Sequence, residues 1–138
     1  MSREVILLRP EADFRRAIRP VLGHIGGLGA DLVVAEAGAS PLEPYNGTAI
    51  VEELGDNVCL TILCASDPYA VVGVRDAFGL EPDLVTGPAT DTTAAVDLVA
   101  RLTGIRAINV IDPAAERAFR AFLGDALRDR LGDRFASL

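Results

Sequence analysis

The chain has 138 residues, a length that suits one domain, and half of them are hydrophobic, which predicts a folded rather than a disordered protein. Its formal net charge of −7 argues against nucleic acid and against an anionic membrane surface as partners. Every basic residue apart from the single histidine is an arginine. The chain therefore lacks the Gly-Lys element of a complete phosphate-binding loop and has no lysine for Schiff-base chemistry.

The first half of the chain predicts two strands and two helices. An apolar run at 5–8 precedes a helical pattern that begins near Glu11 and ends at the glycines after residue 25. Pro20 lies inside this pattern, so we expect a kink or an interruption there. A second apolar run at 32–35 predicts a strand, and residues 48–54 predict a short helix that Gly55 closes.

The second half predicts three strands, each followed by a helix. The apolar runs are 58–65, 84–86 and 105–111. Asp67-Pro68 and Asp112-Pro113 are typical of helix starts, and Thr90 or Asp91 is the expected cap of the helix between them. The alternation predicts an α/β fold: a three-layer sandwich with a mainly parallel five-stranded sheet, Rossmann-like or P-loop-like, in a single domain over residues 1–138.

The cysteines and the histidine indicate little chemistry. Cys59 and Cys64 lie five residues apart in one apolar run, which on a strand points them to opposite faces, so we expect both to be reduced. We interpret Cys64 as a small buried side chain, with a nucleophilic role as the alternative. His24 has no second ligand nearby and predicts no metal site. No signal peptide or membrane span is visible, so we expect a cytoplasmic protein.

Polar residues follow the predicted strands at the edge where α/β proteins bind ligands. The candidate ligand-binding residues are Glu36, Gly38, Ser40, Glu43, Tyr45, Asn46, Asp67, Thr86, Gly87 and Thr90. Glu36 ends an apolar run, where a carboxylate needs a partner, and it suits a Mg²⁺ ligand or a general base. The alternative for its loop is an ordered surface turn. Asp67 and Asp112 are also explained by helix capping alone.

The turn from Thr86 to Thr93 consists mostly of small residues and opens a predicted helix. Its backbone N–H groups could hold a phosphate or a carboxylate at the positive end of the helix dipole. Asp91 argues against this, because its carboxylate would compete with a bound anion.

Residues 31 to 112 resemble the C-terminal half of P-loop nucleotide-binding proteins of the dethiobiotin synthetase and cobyric acid synthase type. The resemblance lies in the strand end Ala35-Glu36-Ala37-Gly38-Ala39-Ser40 and in the apolar run that ends at Ser66. It implies that Glu36 contributes to a Mg²⁺-nucleotide site. Where the family often has Asn near the base, this chain has Thr86-Gly87. The chain is also similar to the C-terminal domain of the domain-of-unknown-function 1611 type family, which shares the acidic-glycine strand end and a proline-containing loop.

These observations predict a domain that binds a small ligand or a nucleotide, with Mg²⁺ as a possible cofactor and without its own phosphate-binding loop. One alternative is a ligase or transferase that uses Glu36 and Asp67 as an acid/base pair. Another is an interaction module that forms a homodimer. The partners expected are a small molecule, a second copy, or a segment that carries a phosphate-binding loop.

Overall fold

A computed structural model describes residues 10–38, 40 and 45–132. The predicted strand at 5–8 and the candidate residue Glu43 lie outside the described residues. The chain divides into two compact units, Met1–Asn57 and Val58–Leu138. The organisation of the whole chain as one domain stays a prediction.

The first unit contains two helices, α1 (Glu11–Gly26) and α2 (Gly47–Leu54), the second of which leads into a 3-10 turn at Gly55–Asn57. Both helices confirm the sequence pattern. Pro20 lies inside α1, which continues through it, so the interruption that was one of the two expected effects is wrong, and the kink stays a prediction. A proline removes only one N–H from the hydrogen-bond ladder, and the remaining turns of the helix hold the segment together.

The predicted second strand, 32–35, is wrong. Residues 32–38 have no regular secondary structure and are exposed, and Val34 is 91% exposed. No backbone hydrogen bond joins this run to another described residue. An apolar run becomes a strand only where a neighbouring chain segment accepts its hydrogen bonds and covers one face, so periodicity alone does not decide it.

The second unit alternates short strands with helices. In chain order it contains β1 (Ile62–Cys64), α3 (Pro68–Phe78), β2 (Leu84–Thr86), α4 (Thr93–Thr103) and α5 (Glu116–Leu131), with 3-10 turns at Pro88–Thr90 and Pro113–Ala115. The strands β1 and β2 are parallel, with Leu63 opposite Val85. The predicted helix ends at Gly79 and Gly104 are confirmed, since both glycines adopt the left-handed conformation. The predicted cap of α4 is wrong: the side chain of Thr92 caps this helix.

The five-stranded sandwich is wrong for this chain, because the described residues are mostly helical and contain one two-stranded parallel sheet. The predicted strand 84–86 is confirmed. The run 58–65 is a strand only at Ile62–Cys64, and the run 105–111 makes a single parallel bridge, Ala107 with Val85. Beyond these paired residues, side chains instead of a neighbouring strand accept some of the backbone N–H groups. The carboxylate of Asp83 accepts the Thr61 N–H at 2.8 Å, and the amide of Asn109 accepts the Ile111 N–H at 3.3 Å.

The core of the second unit lies on both faces of β2, because successive side chains of a strand point to opposite faces. Val85 packs on one face within a cluster of aliphatic residues from α3, α4 and the strand ends: Ala65, Val71, Ala89, Val99 and Ile105. Leu84 packs on the other face with Ile108 and with Phe122 of α5. Burial of these aliphatic side chains is the main stabilising contribution to this unit.

An ion pair joins the end of α5 to the segments that precede β1 and β2. The guanidinium of Arg130 contacts both carboxylate oxygens of Asp83, with Nη1 at 2.9 Å from Oδ2, and also donates to the carbonyl of Cys59. Partial burial by itself raises the pKa of Asp83, but Arg130 and the Thr61 N–H lower it, and the net direction is downward. Asp83 therefore stays ionised and joins three segments of the unit.

The two helices of the first unit are joined by an ion cluster. Arg15 donates to Glu53 at 2.9 Å and also contacts Glu11 and Glu52, while Arg19 donates to Glu53 at 2.8 Å through two nitrogens. The side chain of Glu53 is only 10% exposed, against 58% for Glu52. Hydrogen bonds from Arg19 and then Arg15 lower the pKa of Glu53 to about 2.

The packing of α1 against α2 should weaken in acid. The pKa of Glu53 is lower in the folded state, so its contribution is complete above the ordinary glutamate pKa and is lost as the pH falls from about 4.5 toward 2. The protection factors of the α1 and α2 amides, which correct the observed exchange rates for the pH dependence of intrinsic exchange, should fall over that range. Glu53→Gln should lower these protection factors at neutral pH and remove most of their acid dependence. Glu52→Gln is the matched control, and an equal effect from it would contradict the assignment to Glu53.

Candidate functional site

The carboxyl ends of the parallel segments in the second unit bring three turns to one edge. Ser66 and Asp67 follow β1, the turn Gly87–Asp91 follows β2, and Asn109 follows the residues that bridge to Val85. Three of the predicted site residues, Asp67, Gly87 and Thr90, therefore lie on turns of the same edge. Thr86 is the last residue of β2 beneath them.

Gly87 allows the chain to turn sharply against β1. Its φ is +84°, and a Cβ at this position would lie 2.9 Å from the carbonyl oxygen of Ala65. The Ala65 N–H donates to the Thr86 carbonyl at 3.0 Å, and the Ala89 N–H donates to the Ala65 carbonyl at 3.0 Å. A side chain is excluded at Gly87 both by the backbone conformation and by this close approach.

Thr90 and Asn109 hold the turn in place. The hydroxyl of Thr90 is fully buried, with the Gly87 carbonyl at 2.9 Å and the Ile108 carbonyl at 3.1 Å, and its single proton serves these two acceptors. The amide of Asn109 donates to the Asp91 carbonyl at 3.1 Å. The turn after β2 is thus fixed to the segment on each side of it. Sequence reasoning missed Asn109, although a polar residue inside the apolar run 105–111 was a signal for it.

Asp67 acts as the cap of α3. Its Oδ1 accepts the Tyr69 N–H at 2.9 Å and the Ala70 N–H at 3.0 Å, and its Oδ2 accepts the Ser66 hydroxyl at 2.9 Å. The Ala70 N–H, the Ser66 hydroxyl and the Tyr69 N–H lower the pKa of Asp67, in that order of effect. This geometry confirms the capping interpretation, and it holds the carboxylate ionised rather than ready to exchange a proton.

The charged side chains on the turns of this edge are all acidic. The turns at 65–69, 86–92 and 108–113 contain three charged residues, and all of them are aspartates: Asp67, Asp91 and Asp112. Asp112 caps the next turn through the Ala114 N–H at 2.9 Å. Because no arginine lies on these turns, an anion here would meet carboxylates without a compensating cationic side chain. The edge is better suited to a cationic or neutral polar ligand, or to an anion that carries its own cation.

Thr86 is a buried polar residue, 4% exposed, and its Oγ1 has no hydrogen-bond partner among the described residues. It lies opposite Cys64 in the strand register. Its hydroxyl is not accessible in this structure, and the role of Thr86 in binding a ligand stays a prediction. Cys64 itself is exposed, so its interpretation as a buried side chain is wrong, and both cysteines are free.

The remaining predicted site residues belong to the first unit. Glu36, Gly38 and Tyr45 are exposed, and Ser40 and Asn46 are half-buried. Asn46 precedes α2 with a φ of 62°, and its carbonyl accepts the Ile50 N–H at 3.2 Å. The structure places these residues and the turns after β1 and β2 in different units.

Nothing in the described residues builds a metal centre. No cluster of three or more His, Cys, Asp or Glu side chains that could hold a metal ion occurs within 10–38, 40 and 45–132. The role of Glu36 as a Mg²⁺ ligand stays a prediction. Among the helices that the structure describes, none is long and apolar enough to cross a membrane.

No family model, no curated protein and no solved structure matches this chain. The resemblance to P-loop proteins stays a prediction, and the candidate site depends on its own geometry.

We predict that Gly87→Ala lowers the free energy of unfolding by about 1–3 kcal/mol, because it combines a strained φ with a contact against Ala65. Gly104→Ala is the matched control: its φ is +73°, but nothing lies within 4 Å of its added Cβ. Chemical denaturation measures both variants. Equal losses would show that only φ matters and that the close approach at Gly87 has no cost.

We predict that Thr86→Val raises the free energy of unfolding by about 1 kcal/mol, since it removes a buried hydroxyl without a partner. Thr90→Val should lower it by about 1–3 kcal/mol, because it leaves the buried Ile108 carbonyl without its donor, while the Gly87 carbonyl keeps the N–H of residue 90. Thermal and urea unfolding report both. A loss of stability in Thr86→Val would reveal a partner for this hydroxyl, such as a buried water.

Proposed function

We propose that the second unit binds a small polar ligand at the carboxyl ends of its parallel segments, at the turns that follow β1 and β2. The observation that carries this proposal is the turn Gly87–Asp91, held by Thr90 and Asn109 while Asp91 stays exposed. A rigid turn with exposed polar groups favours ligand binding, because little conformational entropy is lost when the ligand binds.

The charge of the edge restricts the ligand. Asp67 and Asp91 favour a ligand with cationic or hydrogen-donating groups, and the hydroxyl of Ser66 adds a polar contact beside them. A nucleotide fits this proposal only as its Mg²⁺ complex, since a free phosphate would face carboxylates. The cytoplasmic location and the lack of independent catalysis belong to the same proposal.

The enzyme alternative is less well supported by the geometry. The oxygens of Asp67 accept two backbone N–H groups and one hydroxyl, which lowers its pKa and disfavours a role in proton transfer. The acid/base pair of Glu36 and Asp67 stays a prediction.

The proposal predicts that a ligand shifts the amide signals of Ser66, Gly87 and Asp91 in two-dimensional NMR spectra of the full chain. The probes are Mg²⁺ alone, ATP alone, ATP with Mg²⁺, adenosine and spermidine. A bound ligand should also raise the melting temperature in a concentration-dependent way. ATP without Mg²⁺ should shift these signals least.

Asp91→Asn should weaken binding of the effective probe about tenfold or more without changing the fold, since Asp91 is exposed. The matched control is Asp56→Asn, an exposed aspartate of the first unit, which should leave affinity unchanged. Shifts confined to other surfaces, or no response to any probe, would contradict the proposed site.

A further inference from the structure

The strand β1 has one edge without a partner among the described residues. In a parallel ladder, alternate residues direct their backbone groups to one neighbour or to the other. The Thr61 carbonyl accepts the Asp83 N–H at 2.9 Å, and the Ala65 N–H donates to the Thr86 carbonyl at 3.0 Å. Thr61 and Ala65 thus direct these backbone groups toward β2. Ile62 and Cys64 have the opposite orientation in the strand, so their N–H and C=O groups point away from β2.

The opposite edge of the sheet differs from this one. On β2, Val85 directs its backbone outward, and it is bonded on that side: its N–H donates to Arg106 at 2.8 Å, and its carbonyl accepts the Ile108 N–H at 3.1 Å. The described part of the sheet is thus closed beside β2 and open beside β1.

The open edge is short, since β1 has three residues, but it carries none of the charges or prolines that usually protect an edge strand. Residues 58–65 contain no charged residue and no proline. Val58 is 41% exposed, Ile62 is 37% exposed, and Cys64 is exposed as well. Natural edge strands often carry charges or prolines that prevent pairing with another chain, and an exposed apolar edge without them favours such pairing.

We propose that β1 is the contact edge between two copies of this chain, paired antiparallel across a two-fold axis. A two-fold axis brings the same segment of each copy together, so the N–H and C=O groups of Ile62 and Cys64, which no described residue pairs, meet identical groups running in the opposite direction. The chain carries a net charge of −7, but none of its charged side chains lies on residues 58–65, so two copies meet there without like charges directly opposed. This proposal does not depend on ligand binding.

The test measures the mass of the full chain by sedimentation and light scattering over a wide concentration range, with a reductant present because Cys64 is exposed. We expect a concentration-dependent dimer. Ile62→Lys should raise the dimer dissociation constant about tenfold or more, since it places like charges close together across the axis. The matched control is Val110→Lys, because Val110 is 38% exposed and follows the segment that pairs with β2 on the side away from β1.

Circular dichroism checks that each variant keeps its fold. If Ile62→Lys unfolds the chain, Cys64→Lys makes the same test at an exposed position. A monomer at every concentration would overturn the proposal. A dimer that neither Ile62→Lys nor Cys64→Lys weakens would also overturn it. If Val34→Lys dissociates that dimer instead, the exposed run at 32–34 forms the interface.

Discussion

The second unit depends on the backbone of Val85, which is hydrogen-bonded to the segment after α4, while its neighbours in β2 face β1. Its side chain is fully buried between α3 and α4. The three parallel segments are joined through this strand, and their carboxyl ends are therefore brought to one edge. The position of the candidate site follows from that arrangement, because the turns of the site come from three separate parts of the sequence.

In the second unit, acidic side chains lie at the N-terminal ends of helical turns and basic side chains lie at the C-terminal ends of helices. Asp67 and Asp112 each precede the first residue of a helical turn. The last turns of α3, α4 and α5 contain Arg75, Arg101 and Arg130, respectively. Each placement complements the dipole of its helix. The acidic character of the candidate site is thus partly a consequence of folding stability, and in the proposed function the same carboxylates would restrict which ligands it binds. Asp91 is different, because its side chain caps no helix of the unit.

The first unit is stabilised differently. Of the buried hydrophobic side chains in the described residues, only Ala49 belongs to it. Its two helices are joined by Arg15, Arg19 and Glu53, whose interaction varies with pH and with salt far more than an aliphatic core does. The two units therefore differ in what holds them together, and they are expected to respond differently to acid.

The sequence by itself determined the features that depend on neighbouring residues. Asp67 before Pro68 starts α3, Gly79 and Gly104 end helices, and the helical periodicity identifies α1 and α5. It also identified Gly87 and Thr90 as members of a turn at a strand end. Tertiary structure alone decided which apolar runs became strands. The runs 32–35 and 84–86 are similarly apolar, yet among the residues that the structure describes only the second has neighbours on both sides that accept and donate its hydrogen bonds. Strand pairing is a contact between distant residues, and no local pattern records whether the partner is present.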